Sequence, residues 1–139
     1  MAHRVFQDLL ERKINPKKAL DLCAGCGIVG LDLLFHAHNN PSQIESFDFI
    51  EVQSEYASHF EKNCSSLKLE LTNFKTELKF LNLNYEAALK SEHFKNNYDL
   101  IVCNPPYFLP SQGKMSDNQF KNRCRFFLDS DLKALIQFI

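Results

Sequence analysis

Ala19-Leu-Asp-Leu-Cys-Ala-Gly-Cys-Gly-Ile-Val-Gly30 begins as a strand and ends as a helix. Its first five residues, Ala19 to Cys23, form a short apolar run of strand length. Gly25 and Gly27 then allow a tight turn and a close backbone approach by a ligand. The apolar pattern after them, Ile28 to His38, has helical spacing. The turn between them leaves amide groups at a helix N-terminus facing whatever binds there, which suits a nucleotide-like cofactor. Asp21 adds an anionic partner for an ammonium group.

Working outward, three more strand-length runs follow: Ser46 to Ile50, Leu78 to Leu81 and Tyr98 to Cys103. Helical patterns cover Val5 to Ile14 and Gln53 to Cys64, with a weaker one over Tyr85 to Phe94. Leu67-Lys-Leu-Glu-Leu71 alternates with period 2 and reads equally as an extra strand or a loop. Strands alternating with helices specify βαβ units with right-handed crossovers. The fold class is therefore α/β, an open, mostly parallel sheet of order 3-2-1-4 with helices on both faces.

The chain has 139 residues, 45% hydrophobic and 24% charged, which fits one domain spanning 1–139. Sixteen Lys and Arg balance 17 Asp and Glu to a net charge of -1, so no overall cationic field marks a nucleic-acid binder, and such binding needs a local patch. The most apolar stretch, Ala19 to Phe35, is interrupted by Asp21 and Asp32 and falls short of the about 20 residues of a membrane span. The N-terminus lacks the apolar segment of a secretory signal, and the expected location is cytoplasmic. The five cysteines read as reduced thiols. Cys23 and Cys26 form a C-x-x-C, but Gly25 and Gly27 account for that loop without a redox pair. Cys64, Cys103 and Cys124 are isolated, and His3, His36, His38, His59 and His93 show no metal-spaced pairing, so no metal is expected.

Two further segments carry chemistry. Glu51 ends the second strand about 20 to 25 residues after the glycines, where an acid accepts hydrogen bonds from ribose hydroxyls. Asn104-Pro-Pro-Tyr-Phe108 follows the fourth strand, and in an open parallel sheet it shares one crevice with the glycine loop. Pro105 and Pro106 stiffen the loop and remove two N–H donors. What remains is an acceptor surface, the Asn104 side-chain oxygen and the Pro105 carbonyl, that suits a planar NH2 group. Holding its N–H bonds there frees the nitrogen lone pair, while the Tyr107 ring lies against a planar substrate.

These segments resemble the motifs of the S-adenosylmethionine-dependent methyltransferases with a Rossmann-like fold. Asp-Leu-Cys-x-Gly from Asp21, Glu-Val-Gln from Glu51 and Asn-Pro-Pro-Tyr-Phe-x-Pro-Ser-Gln from Asn104 are similar to the adenine N6-methyltransferases of valine tRNA. The resemblance implies S-adenosyl-L-methionine as cofactor, with Asp21, Cys23, Gly25, Gly27, Glu51, Asn82 and Asn104 around it. It implies Asn104, Pro105, Pro106 and Tyr107 as the catalytic tetrapeptide. Cys23 stands where many relatives have Gly, and Asn82 where the family usually has Asp. The target it implies is the N6 amine of the adenine just 3′ of the anticodon. A protein-glutamine N5-methyltransferase acting on a release factor resembles the same tetrapeptide, and a catalytically silent interaction domain is the alternative from another class.

Tyr107, Phe108, Arg123 and Arg125 are the expected substrate-binding residues. Arg123-Cys-Arg125 is followed by Phe126-Phe127 where the family usually continues with an arginine and His-Glu. Lys114, Lys121, Arg123 and Arg125 form a local cationic segment, and Arg4, Arg12, Lys13, Lys17 and Lys18 add charge near the N-terminus. The resemblance also implies a seven-stranded sheet, of which four strands are legible. The domain is therefore expected to be C-terminally incomplete, with a terminal helix whose apolar face has no following strand to cover and a fourth-strand edge open to self-association.

Overall fold

Alternate side chains of a β-strand point to opposite faces of its sheet, and this chain fills both faces with apolar groups. In the computed structural model, which describes residues 1–38, 44–92, 94 and 97–139, strands β1 (Lys18–Leu22), β2 (Ser46–Glu51), β3 (Glu77–Asn82) and β4 (Leu100–Cys103) form one parallel sheet of order β3-β2-β1-β4. The register sets Leu22 beside Ile50 and Cys103, and Glu51 beside Asn82. His93 lies outside the described residues.

Ala19, Phe47, Phe49 and Val102 face α1 (Ala2–Glu11), α2 (Ile28–Ala37) and α3 (Ala57–Glu70), and meet Leu31, Leu33, Phe60, Cys64 and Leu67 there. Leu20, Leu22 and Ile50 face the other way, against Tyr85 and Ala88 of α4 (Tyr85–Leu89) and Leu135 of α6 (Leu132–Phe138). The expected order and the two helical faces are thus present. α2 approaches the sheet closely because Gly30 has no side chain. A Cβ there would lie 2.6 Å from Phe49 Cε1 and 3.0 Å from Phe47 Cζ.

Three expectations are corrected. Leu67 to Glu70 is the last turn of α3, with Leu71 as its cap, since Phe60, Cys64 and Leu67 form a buried stripe at helical spacing while Leu69 is 89% exposed. The fourth helical pattern stops at Leu89 rather than at Phe94. The terminal helix also has a partner: Leu135 is buried in the core beneath α4, and the Phe94 and Phe138 rings stand 6.4 Å apart. Among the described residues no helix is long and apolar enough to cross a membrane.

Candidate functional site

The site lies at the carboxyl ends of β1, β2 and β4, where side chains and backbone from separate segments converge. After Leu22 the chain alternates into the left-handed region, with φ of 61° at Cys23, 55° at Gly25 and 78° at Gly27. This coil folds under the start of α2, because the Gly27 N–H donates to the Ala24 carbonyl at 2.8 Å and the Ala24 N–H to the Ile50 carbonyl at 3.0 Å. Cys23 is the one non-glycine among the three. Its thiol is held against Cys103 at the adjacent strand end, and that hydrogen bond, followed by burial, pushes its pKa up. Cys23 pairs with Cys103, not with Cys26, and all the described cysteines are free thiols.

Glu51 ties the loop to the second strand. Its Oε2 accepts the Gly25 N–H and its Oε1 the Gln53 N–H, both at 2.8 Å. Burial raises its pKa, against the lowering effect of the Gln53, Gly25 and Val52 amides and of the Arg123 charge. With about four lone-pair positions, the carboxylate keeps acceptor capacity for a ligand hydroxyl beside these amides.

A cavity of about 260 Å³ opens between these ends. Cys23, Gly25, Glu51, Asn104, Pro106 and Arg123 of the expected residues line it. Gly27 stays beneath, where a Cβ would strike the Phe60 ring at 2.6 Å. Asp21 also lies below the loop. Its Oδ2 accepts the Gly30 N–H at 2.8 Å, it is 1% exposed, and its Oδ1 is buried without a partner. Burial raises its pKa to about 7, more than the Gly30 hydrogen bond lowers it. Asp21 thus anchors α2 through Oδ2 and does not line the cavity. Asn82 stands outside the cavity too, its Nδ2 donating to the carbonyls of Glu51 at 2.9 Å and Val52 at 3.1 Å. Leu83 and Asn84 reach the cavity in its place.

The Asn-Pro-Pro-Tyr segment closes on itself. The Tyr107 hydroxyl donates to Asn104 Oδ1, and the Tyr107 ring is 67% exposed, outside the cavity with Pro105 and Phe108. The loop is laced to the chain beyond α5 (Gln119–Arg125): the Tyr107 and Phe108 N–H groups donate to the Arg125 carbonyl, and the Phe127 N–H to the Phe108 carbonyl. The Arg125 guanidinium lies over Phe108 at 5.9 Å and Phe126 at 5.5 Å, outside the cavity.

The contacts that place several lining residues carry no signal in the sequence. Gln53 is 3% exposed, donates to Cys124 Sγ at 3.6 Å and leaves its Oε1 unpartnered. The Tyr56 hydroxyl meets the same sulfur at 3.2 Å. Arg123 is paired with Asp129, whose carbonyl accepts from Asn84 Nδ2 at 2.7 Å. These contacts make 123–130 a wall of the cavity. Among the described residues no group of three His, Cys, Asp or Glu is placed to hold a metal.

An adenosine-type cofactor fits this donor set: Glu51 has free lone pairs, Gln53 Oε1 lacks a partner, and apolar Ile50, Val52 and Leu83 stand beside them. Comparison with known proteins agrees with the architecture. The fold is shared with a candidate RNA methyltransferase of Pyrococcus horikoshii, 18% identical at a TM-score of 0.53 over 88% of this chain and 53% of that one. It is shared also with a candidate methyltransferase of Escherichia coli, 20% identical at a TM-score of 0.54 over 76% and 51%. The release factor glutamine methyltransferase of Borreliella burgdorferi is 31% identical over 91 residues, which are 66% of this chain and 26% of that protein. The chain thus spans about a quarter of the curated relative and about half of the solved structures it matches. The model of the family described as Conserved hypothetical protein 95 matches residues 2–119, and the chain belongs to this family, with the Rossmann-like fold that the two solved structures share.

Proposed function

We propose that this protein transfers a methyl group from S-adenosyl-L-methionine to an exocyclic amine, with adenine N6 in tRNA, just 3′ of the anticodon, as the target, in the cytoplasm. The observation that carries the reading is the convergence of Gly25, Glu51, Asn104 and Pro106 on one cavity at the strand ends. The cofactor supplies an electrophilic methyl carbon on a sulfonium. Glu51 would accept from a ribose hydroxyl while keeping the Gly25 and Gln53 amides. Asn104 Oδ1 gives up the Tyr107 hydroxyl for one N–H of the amine, and the Pro105 carbonyl takes the other. Held so, the nitrogen lone pair would be free to take the methyl group that the bound cofactor would supply, the S–C bond breaking as the N–C bond forms, with S-adenosylhomocysteine as the leaving group and the extra proton passing to water. The chain contributes position and acceptors rather than a strong base. Arg125 and Phe108, exposed beside the Asn-Pro-Pro-Tyr loop, offer a cation and a ring face to the RNA.

A second reading, transfer to the side-chain nitrogen of a glutamine in a release factor, is favoured by the 31% identity to the release factor glutamine methyltransferase. Radiolabelled methyl transfer to unmodified tRNA and to a release factor separates the two. Label in tRNA that digests to N6-methyladenosine supports the first, and label in the protein alone replaces it with the second.

A further inference from the structure

Two thiols that methyl transfer leaves unused stand side by side at the strand ends that build the cavity. Leu22 and Cys103 are Cα partners across β1 and β4, so Cys23, the next residue of the chain, lies diagonally opposite Cys103. Neighbouring strands run about 4.8 Å apart, and a disulfide bridges Cα atoms about 4.4–6.8 Å apart. The side chains also meet: the Cys23 thiol donates a hydrogen bond to Cys103, and both pack on the apolar cluster of Leu20, Leu22 and Ile50. Cys23 lines the cavity and both residues are half-buried, so a small solute can reach the pair.

Each of the two begins a loop on which the site depends. Cys23, itself at a φ of 61°, opens the left-handed turn that brings the Gly25 N–H to Glu51 at 2.8 Å. Cys103 is bonded directly to Asn104. A covalent link between the sulfurs therefore joins the glycine loop to the Asn-Pro-Pro-Tyr loop at their roots.

We propose that Cys23 and Cys103 form a dithiol site for a small disulfide oxidant of the glutathione disulfide class, whose reaction fastens these two loops together and weakens cofactor binding. The effect on binding rests on the cofactor assignment made above; the thiol chemistry does not. One cysteine thiolate attacks a sulfur of the oxidant, whose S–S bond breaks to release one glutathione thiolate. The second cysteine gives up its proton and attacks the mixed disulfide, which forms the Cys23–Cys103 bond and releases the second glutathione. Two electrons pass from the cysteines to the oxidant, and the two cysteine protons end on the two glutathione thiols. The new bond is shorter than the hydrogen bond it replaces, so it draws Cys23 toward β4 and carries Ala24 and Gly25 with it. A dithiol reductant reverses the change.

The test treats the full chain with glutathione disulfide or with dithiothreitol, blocks the remaining thiols by alkylation, maps the linked peptides by mass spectrometry, and follows with calorimetry using S-adenosylhomocysteine. The oxidised protein is expected to carry a Cys23–Cys103 link and to bind S-adenosylhomocysteine at least about 10-fold more weakly than the reduced one, with full recovery in dithiothreitol. Cys103→Ser should keep the affinity of the reduced wild type within about threefold, before and after the oxidant. Cys23→Gly, which suits the left-handed backbone at this position, should form no link through Cys103. A link between Cys23 and Cys26, or mixed disulfides with glutathione alone, overturns the dithiol site. A Cys23–Cys103 link with unchanged affinity overturns its control of binding, and an equal loss in oxidised Cys103→Ser assigns that control to another thiol. Failure of the reduced wild-type protein to bind S-adenosylhomocysteine removes the cofactor assignment and not the dithiol site, which the peptide map decides by itself.

Discussion

The Glu51 carboxylate holds the Gly25 N–H at 2.8 Å across 26 residues of sequence, fastening the glycine loop of the first strand to the end of the second. One acid therefore shapes the loop and faces the cavity. Its burial raises its pKa, and the backbone amides that it accepts act in the opposite direction.

Replacing Glu51 by Ala should remove the ribose acceptor and the loop fastening together. Cofactor affinity is expected to fall by about 1–3 kcal/mol, the range for losing charge-assisted hydrogen bonds. Calorimetry with S-adenosylhomocysteine measures it. An unchanged dissociation constant would take Glu51 out of the binding site.

Asp21 should give the folded state a pH dependence of its own. Its pKa rises from 3.8 to about 7, so folding favours the protonated form. The stability that this provides is fully present below about pH 4 and is lost as pH rises through 7, by at most on the order of 4 kcal/mol. Asp21→Asn keeps an acceptor for the Gly30 N–H and abolishes the titration. Urea unfolding at pH 5, 6.5 and 8 is expected to show a flatter profile for the variant and a gain at pH 8; parallel profiles would assign the wild-type dependence to other groups.

The sheet and its order were legible because the strands are apolar on both faces and the connecting helices carry a periodic stripe. The glycines, Glu51 and Asn104 were legible because a parallel sheet brings strand ends to one crevice. Side-chain direction was not. Asp21 lies one residue before Leu22 on the strand, and only the pleat and the packing of α2 turn it inward to Gly30. Tyr107 was expected on the substrate, but its hydroxyl reaches Asn104 three residues back and carries the ring out to solvent. Arg123 and Arg125 were read as substrate-binding residues, but the placement of 123–130 as a wall of the cavity had no signal, since α5 is seven residues long and its position depends on Cys124, Tyr56 and Asn84, contacts distant in sequence.

Gly30 is set by packing, not by the ligand. The added methyl of Gly30→Ala would meet two fully buried rings, Phe47 and Phe49, stacked on each other at 4.8 Å, with Phe60 behind Phe49 at 4.7 Å. Both rings are fully buried, so relieving the contact requires a shift inside the core. The variant should lose about 1–3 kcal/mol of stability, read as a lower denaturant midpoint with the same slope. A midpoint equal to wild type would mean that α2 can lift off the sheet at no cost.

Asn104 should act on the rate rather than on cofactor binding. Its Oδ1 accepts from the Tyr107 hydroxyl, so an incoming amine exchanges one donor for another without leaving the oxygen bare. Asn104→Ala is expected to keep S-adenosylhomocysteine affinity within about threefold and to lower methyl transfer by roughly two to three powers of ten, the cost of one preorganised transition-state hydrogen bond. Asn104→Asp retains an oxygen acceptor and should keep measurable turnover. Tyr107→Phe provides the complementary variant: it removes the hydroxyl that competes for Oδ1 and leaves the exposed ring in place. If the hydroxyl only occupies the acceptor until substrate arrives, Tyr107→Phe should transfer methyl groups at close to the wild-type rate while Asn104→Ala does not. Single-turnover assays with tRNA that has first been shown to accept methyl groups from the wild-type protein compare the three variants. Equal losses in Asn104→Ala and Tyr107→Phe would mean that the hydrogen bond between them shapes the loop and that neither side chain clamps the amine.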